Sequence, residues 1–440
     1  MNLGVLKRAF DRLFKIRLYR PYHKVLEQVA AREDVWMASQ GEYVTWWRNR
    51  SHASLRIAVY ENTMTACTDV EGAVLEAHPG EFLTSNQVAC ENCSFSGDVQ
   101  WVIDETLERK HLLVDALQRE GIMNVSEGVE SAFLLSHELD ELLERMEAHL
   151  RGGDLGAYDQ DILEVREVVV ARLAERGLPL VRIWYHPRVD DRTIKAVFST
   201  RYDVDRAIAN MPKILKLEHQ FGMASTLHVR VQHPFYADAE VTRIVARHKP
   251  AEIALHAEFA RHARLYGGER AAGQATKAHL EEVLGRPVLG VSVHGGELMF
   301  NRQNAWAHIE QCGFLYGVNG PAPYWHPYRR LTEEGQLERT YYLRAQFSDI
   351  FLERVPFRRF RAAFVERALQ TLDQAAAHGG AFVLLMHPCY FGLLSYLLDV
   401  KSLVRFLKFL PTYLGTVLRL KRNQQNINVP EEGRPAADVP

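Results

Sequence analysis

The run Lys195–Ile208, KAVFSTRYDVDRAI, decides how the rest of the chain is read. Its first half is apolar enough for a strand buried on both faces, and it ends in two aspartates one residue apart, just before a helix is expected. A carboxylate at the end of a core strand costs free energy unless something compensates it. Either these acids cap the helix or they hold something. Asp205 stands where an N-cap belongs, ahead of a helix beginning at Arg206. Capping leaves Asp203 unexplained, two positions earlier on the same side of the strand.

The texture of this run repeats downstream. After Arg176, apolar runs alternate with amphipathic helical patterns: MASTLHV (223–229), AEIAL (251–255), PVLGVSV (287–293), FLYGV (314–318), TYYLRAQF (340–347) and AFVLLM (381–386). Gly222, Gly285, Gly313 and Gly379 each follow a helical pattern, where a left-handed cap is needed. Buried strands alternating with helices predict a parallel α/β sheet or barrel, and the six or seven units over about 220 residues suit a barrel of nearly TIM size. The stretch 320–357 is less regular.

Ahead of the barrel, 22–50 reads as two helices around a short strand, and 54–100 as a small β unit of short alternating runs. Helices are predicted over Ser131–Leu150 and Asp161–Arg176, separated by RGGDLG. The expected division is an N-terminal α+β accessory region (1–165), the barrel (166–420) and a polar, disordered tail (421–440). Residues 3–19 predict a basic amphipathic helix, suited to an anionic membrane surface or to packing on its own protein. The apolar stretch 391–420 carries Lys401, Arg405 and Lys408 on one helical face, so a core-packing or interfacial helix is expected there.

Composition limits the function classes. Of 440 residues, 47% are hydrophobic and 25% charged, as in a globular protein with a sizeable core. A net charge of −2 gives no global basic field, so no nucleic-acid partner is expected. Cys67, Cys90, Cys93, Cys312 and Cys389 are few and irregular, which fits a reducing compartment. CENC (Cys90–Cys93) is a lone C-x-x-C without a second pair for a structural zinc. The N-terminus has no apolar h-region or cleavage site, so the expected location is cytoplasmic, with peripheral contact on the inner membrane face.

In a parallel barrel the reactive rim lies at the C-terminal strand ends. Here those ends carry Asp203 and Asp205, then His256, His294 and His387. Each has an ordinary explanation alone: a cap, a satisfied rim histidine, a strand terminator. Together they bring carboxylate and imidazole groups from four strands to one rim. Two histidines and a carboxylate form a facial set on a divalent ion, and a further acid and histidine are then a base and an acid for hydrolysis.

In order and spacing, TRYDVD, FGMAST, EIALH, VLGVSVH, GFLYG and FVLLMHP resemble the motifs of the polysaccharide deacetylases, over roughly 180–395. The resemblance implies a distorted (β/α)7-type barrel and the metal-dependent removal of acetyl groups from carbohydrates. It implies Asp203 as base, Asp205 and His256 as ligands of a divalent metal, zinc first among them, and His387 as the acid protonating the leaving amine. The family's second metal histidine falls on Ala260, so the resemblance implies His294 in its place, with His262 as the substitute.

Three positions depart from the family's pattern. Val204 separates the two aspartates, Ser292 stands where a divergent branch has arginine, and Gly317 where it has aspartate. The segment AREDVWMASQGEYVTWWRNR (31–50) resembles one that follows the last catalytic motif in divergent members, so either a circular permutation or a remnant of a preceding unit of the same kind is expected. The function expected is deacylation of an N-acylated sugar or glycolipid in surface-glycan synthesis. An inactive glycan-binding scaffold is the alternative.

Overall fold

The structure is a computed structural model. It describes residues 18–60, 63–77, 81–82, 87–89, 97–104, 106–122, 133–190, 192–205, 207–231, 236–247, 251–294, 302–349 and 360–391. The basic N-terminal helix up to residue 17, the pair Cys90 and Cys93, the apolar run from 392 and the tail 421–440 lie outside these residues.

The parallel strands expected after Arg176 form a barrel wall. In chain order they are β1 (Ala196–Val204), β2 (Thr226–Val229), β3 (Glu252–Ala257), β4 (Gly290–Val293), β5 (Tyr316–Pro321), β6 (Tyr341–Ala345) and β7 (Ala381–Met386). Neighbours run β6-β5-β4-β3-β2-β1-β7, and every pair is parallel. Phe347–Ser348, just past β6, pairs with β7 and brings the wall round on itself. Gln346 bridges the join: its N–H donates to Val383 O at 3.2 Å, and Val383 N–H donates to Gln346 Oε1 at 2.7 Å. Helices α1 (Met211–Gln220), α2 (Asp238–Arg247), α3 (Phe259–Tyr266), α4 (Glu269–Leu284), α5 (Arg302–Gln311) and α6 (Phe360–Ala377) alternate with the strands. This is a distorted (β/α)7-type barrel.

All nine residues of β1 are buried, and its alternation separates two environments. Phe198, Tyr202 and Val204 belong to the large core that also takes in helix residues such as Ile214, Leu280 and Phe364. Val197 belongs to a separate small core with Tyr316, Val318, Leu343 and Ala381. Arg201 and Asp203 share the side of Val197. The outer face supplies the apolar burial, about 1.5–3 kcal/mol for each large side chain, and the inner face can carry polar groups.

The base of the barrel is built from the N-terminal region. Strand Val35–Met37 adds in parallel to Ala196–Phe198, on the edge that β2 joins only from Arg201 onward. Helix Gln40–Ser51 follows, started by a capping box of Ser39 and Glu42. Its first turn reaches barrel residues: Gln40 N–H donates to Thr226 Oγ1 at 2.9 Å and Gly41 N–H to Glu252 Oε2 at 2.8 Å. Gly41 is required for this approach, because a Cβ there would lie 2.4 Å from Glu252 Oε1.

The accessory region contains the expected β unit, including the antiparallel pair Leu55–Tyr60 and Thr63–Thr68. Its strand Ala73–Ala77 pairs with Val181–Val189, and helix Leu155–Ala174 crosses the expected boundary at 165/166. The helix expected over Ser131–Leu150 is shorter. Phe133–Leu135 is a strand paired with Trp101–Ile103, with alternating burial, and the helix starts at Asp140. No helix among the described residues is long and apolar enough to cross a membrane.

Candidate metal centre

Five residues named from the sequence lie at the C-terminal strand ends: Asp203 in β1, Asp205 just past it, His256 in β3, His294 after β4 and His387 after β7. Asp205 is not a helix cap, since α1 begins at Met211 behind the short turn Ile208–Asn210. Asp205 Oδ1 lies 3.4 Å from His256 Nε2 and 3.4 Å from His294 Nε2. The ligand atoms of these three side chains all lie within 4.8 Å of one another. His262 sits buried on α3, and among the described residues it does not join them.

Asp205 Oδ1 is buried with no hydrogen-bond partner. A buried carboxylate oxygen facing two imidazole nitrogens without a bond suits a shared cation. Tetrahedral bonds of 2.0–2.1 Å place neighbouring ligand atoms about 3.3–3.4 Å apart, so the two Asp205–histidine edges fit. The ring nitrogen of His256 away from Asp205 is held as well: Nδ1 is 2.8 Å from Ser292 Oγ. Burial and Arg230 push His294 down to about 4, which keeps its imidazole neutral, as a ligand must be. Burial alone would raise Asp205, but the two imidazoles and Arg230 hold it well below the usual carboxylate range.

Asp203 is gripped by a residue of its own strand. Arg201 donates Nε to Oδ1 at 2.7 Å and Nη2 to Oδ2 at 2.8 Å, a two-point fork that fixes the carboxylate plane. Burial opposes ionisation there, but Arg201 together with His256, His387 and His228 outweighs it, so Asp203 stays charged. Its Oδ2 is 3.8 Å from His256 Nε2, beside the cluster.

His387 has a partner that sequence reading missed. Its Nδ1 is 2.8 Å from Asp349 Oδ1, and its backbone N–H donates to Asp349 Oδ2 at 2.5 Å. Burial would lower this imidazole, but Asp349 and then Asp203 and Asp205 raise it to about 9. Arg230 and Glu258, also unflagged, form a buried pair behind the cluster, with Arg230 Nη1 3.6 Å from Asp205 Oδ1. Gly317 leaves space for an aromatic neighbour: a Cβ there would lie 3.0 Å from Tyr342 Cε1.

The fold and the cluster thus define a parallel α/β barrel with a two-histidine, one-carboxylate set at its C-terminal rim. No family model and no curated protein matches the chain. Among solved structures it is similar to one named as a polysaccharide deacetylase from Mycobacterium smegmatis, with 17% identity, 56% of this chain and 95% of that one covered, and TM-score 0.34. It is also similar to one from Bordetella bronchiseptica named as a polysaccharide deacetylase involved in O-antigen biosynthesis, at 17% identity, 53% and 91% coverage and TM-score 0.29. A structure named as Puue allantoinase matches at 15% identity, with 53% and 91% covered and TM-score 0.30. At these scores the fold rests on the strand order rather than on the likeness.

Proposed function

We propose that this chain is a metal-dependent hydrolase that removes an acyl group from an N-acylated sugar, within a glycan or glycolipid precursor on the cytoplasmic side of the membrane. The observation that carries the reading is the convergence of Asp205, His256 and His294 on one point, with Oδ1 of Asp205 left without a hydrogen bond. The carbohydrate part rests on the order and spacing of the motifs.

Asp205, His256 and His294 would hold the ion, and a donor set of two imidazoles and a carboxylate favours zinc. Such an ion polarises an acyl carbonyl and acidifies water. Asp203, kept ionised by Arg201, takes the proton of the attacking water. His387, kept protonated by Asp349, gives its proton to the departing amine. The inactive-scaffold alternative drew on Ser292 and Gly317. In the fold Ser292 orients His256, and an aspartate is supplied to His387 from position 349.

Metal analysis of purified protein tests the reading. Wild type is expected to hold about one zinc per chain after reconstitution, and His256→Ala and His294→Ala each to lose it together with deacetylation of an N-acetylated aminosugar oligomer. A wild type that takes up no stoichiometric ion sinks the proposal.

A further inference from the structure

A cavity of about 520 Å³ lies at the end of the barrel opposite the metal centre. It is bordered by Lys195 and Gly379, which precede β1 and β7, whereas the metal centre follows the far ends of those strands. Eight residue steps along the strand separate Lys195 from Asp203, about 26 Å at the usual rise. Its other wall belongs to the accessory region, through Arg119, Arg166, Arg182 and Trp184. This volume is that of a small-molecule site.

The lining is rich in guanidinium groups. Arg182 pairs with Glu76 at 2.7 Å and Glu120 at 2.5 Å, Arg166 with Glu120 at 3.3 Å, and Arg119 with Asp159 at 2.6 Å. Arg50 lies behind the wall, stacked 5.2 Å from the Trp47 ring and 5.0 Å from the Tyr185 ring, both of which line the cavity. Three guanidiniums and Lys195 therefore line the cavity against three carboxylates, an excess of one positive charge in a chain of net charge −2. The carboxylates leave donors unused. Nε and Nη1 of Arg119, whose side chain is 6% exposed, and Nε of Arg166 are buried without a hydrogen-bond partner. Buried donors in this state favour an acceptor that brings its own charge.

We infer that this cavity is a binding site for a small organic oxyanion, a phosphate or carboxylate carried on a body of about monosaccharide size, separate from the metal centre. The guanidiniums take the charged group, and the exposed Lys195 closes the open side. The half-buried Trp184 supplies flat apolar surface for the rest of the ligand. Tyr324, from the segment between β5 and β6, donates its hydroxyl to Asp159 at 2.9 Å and accepts from Arg119 Nη2 at 2.8 Å, so the cluster reaches the barrel and occupancy would also tie accessory region and barrel together.

Titration calorimetry of the full chain at low ionic strength tests this, with inorganic phosphate, glucose 6-phosphate, glucuronate and neutral glucose as probes. Saturable binding of phosphates, of glucuronate or of both is expected, with none for glucose. Arg166→Gln and Lys195→Gln should each weaken binding by about fivefold or more, and His256→Ala should leave it unchanged. Lys195 is exposed, so its variant keeps the test intact if Arg166→Gln does not fold. The inference is overturned if no anion binds. It is equally overturned if binding survives Lys195→Gln and Arg166→Gln but vanishes in His256→Ala, which places the anion at the metal centre.

Discussion

Asp349 grips both the ring and the backbone nitrogen of His387, so its carboxylate fixes the orientation of that imidazole as well as its charge. With Asp349 present the imidazolium persists to about 9, so the proposed acid is loaded at neutral pH and is lost as pH rises through that value. Deacetylation should therefore fall on the alkaline side near pH 9. Asp349→Asn should lower kcat by about 10²–10⁴-fold and move this alkaline limb toward the ordinary histidine value. A pH profile of kcat checks both, and a limb that stays in place in the variant rules out the assignment. Asp203, Asp205, His256, His294 and His387 were legible because apolar alternation and helix-ending glycines locate strand ends. Asp349 was not, because it follows β6 inside the irregular stretch 320–357. Arg201 stood in the opening run but was passed over as a strand residue. Its i, i+2 relation to Asp203 was the available signal.

At the scale of elements, the wall depends on which side chains the narrow interior can take. Gly290 opens β4 directly against Tyr316 of β5, and a Cβ at 290 would lie 2.0 Å from Tyr316 Cζ. The Tyr316 hydroxyl in turn donates to Glu252 Oε1 at 2.9 Å, which helps satisfy a buried carboxyl whose ionisation burial disfavours. Gly290→Ala must push this ring aside and loosen that bond, so it should destabilise by about 1–3 kcal/mol. Urea unfolding should show a lower midpoint at unchanged slope, and an unchanged midpoint would show that the ring has room to move. The barrel strands were readable because both of their faces are buried, whereas Phe133–Leu135 was mistaken for helix. Three residues of alternation are too short a signal beside the strong helical pattern from Asp140.

For the whole molecule, the order of segments in space departs from their order in the chain: residues 35–51 complete the base beneath β1, and strand Val181–Val189 joins the accessory sheet before the chain enters the barrel. The resemblance of 31–50 to a segment that elsewhere follows the barrel was visible in sequence. Its docking was not, because Val35–Met37 is short and its partners lie in distant sequence. This arrangement buries His186 completely, near Tyr43 of the base helix at 6.2 Å between rings. Burial, reinforced by Arg50, pushes His186 down to about 3 from 6.5. Burial also holds His228 and His326 well below their ordinary value. The unfolded chain binds these protons below about 6.5 while the folded chain refuses them, so stability is full above that pH and is lost as pH falls. Each such histidine contributes a slope of about 1.4 kcal/mol per pH unit. For metal-free protein, unfolding free energies measured from about pH 7 to 5 should fall steeply, and His186→Phe should remove about one proton's worth of that slope. His186→Gln serves as a second variant should phenylalanine overfill the site. If both variants fold and neither changes the slope, His186 does not enter the folded chain neutral, and the acid sensitivity belongs to other groups.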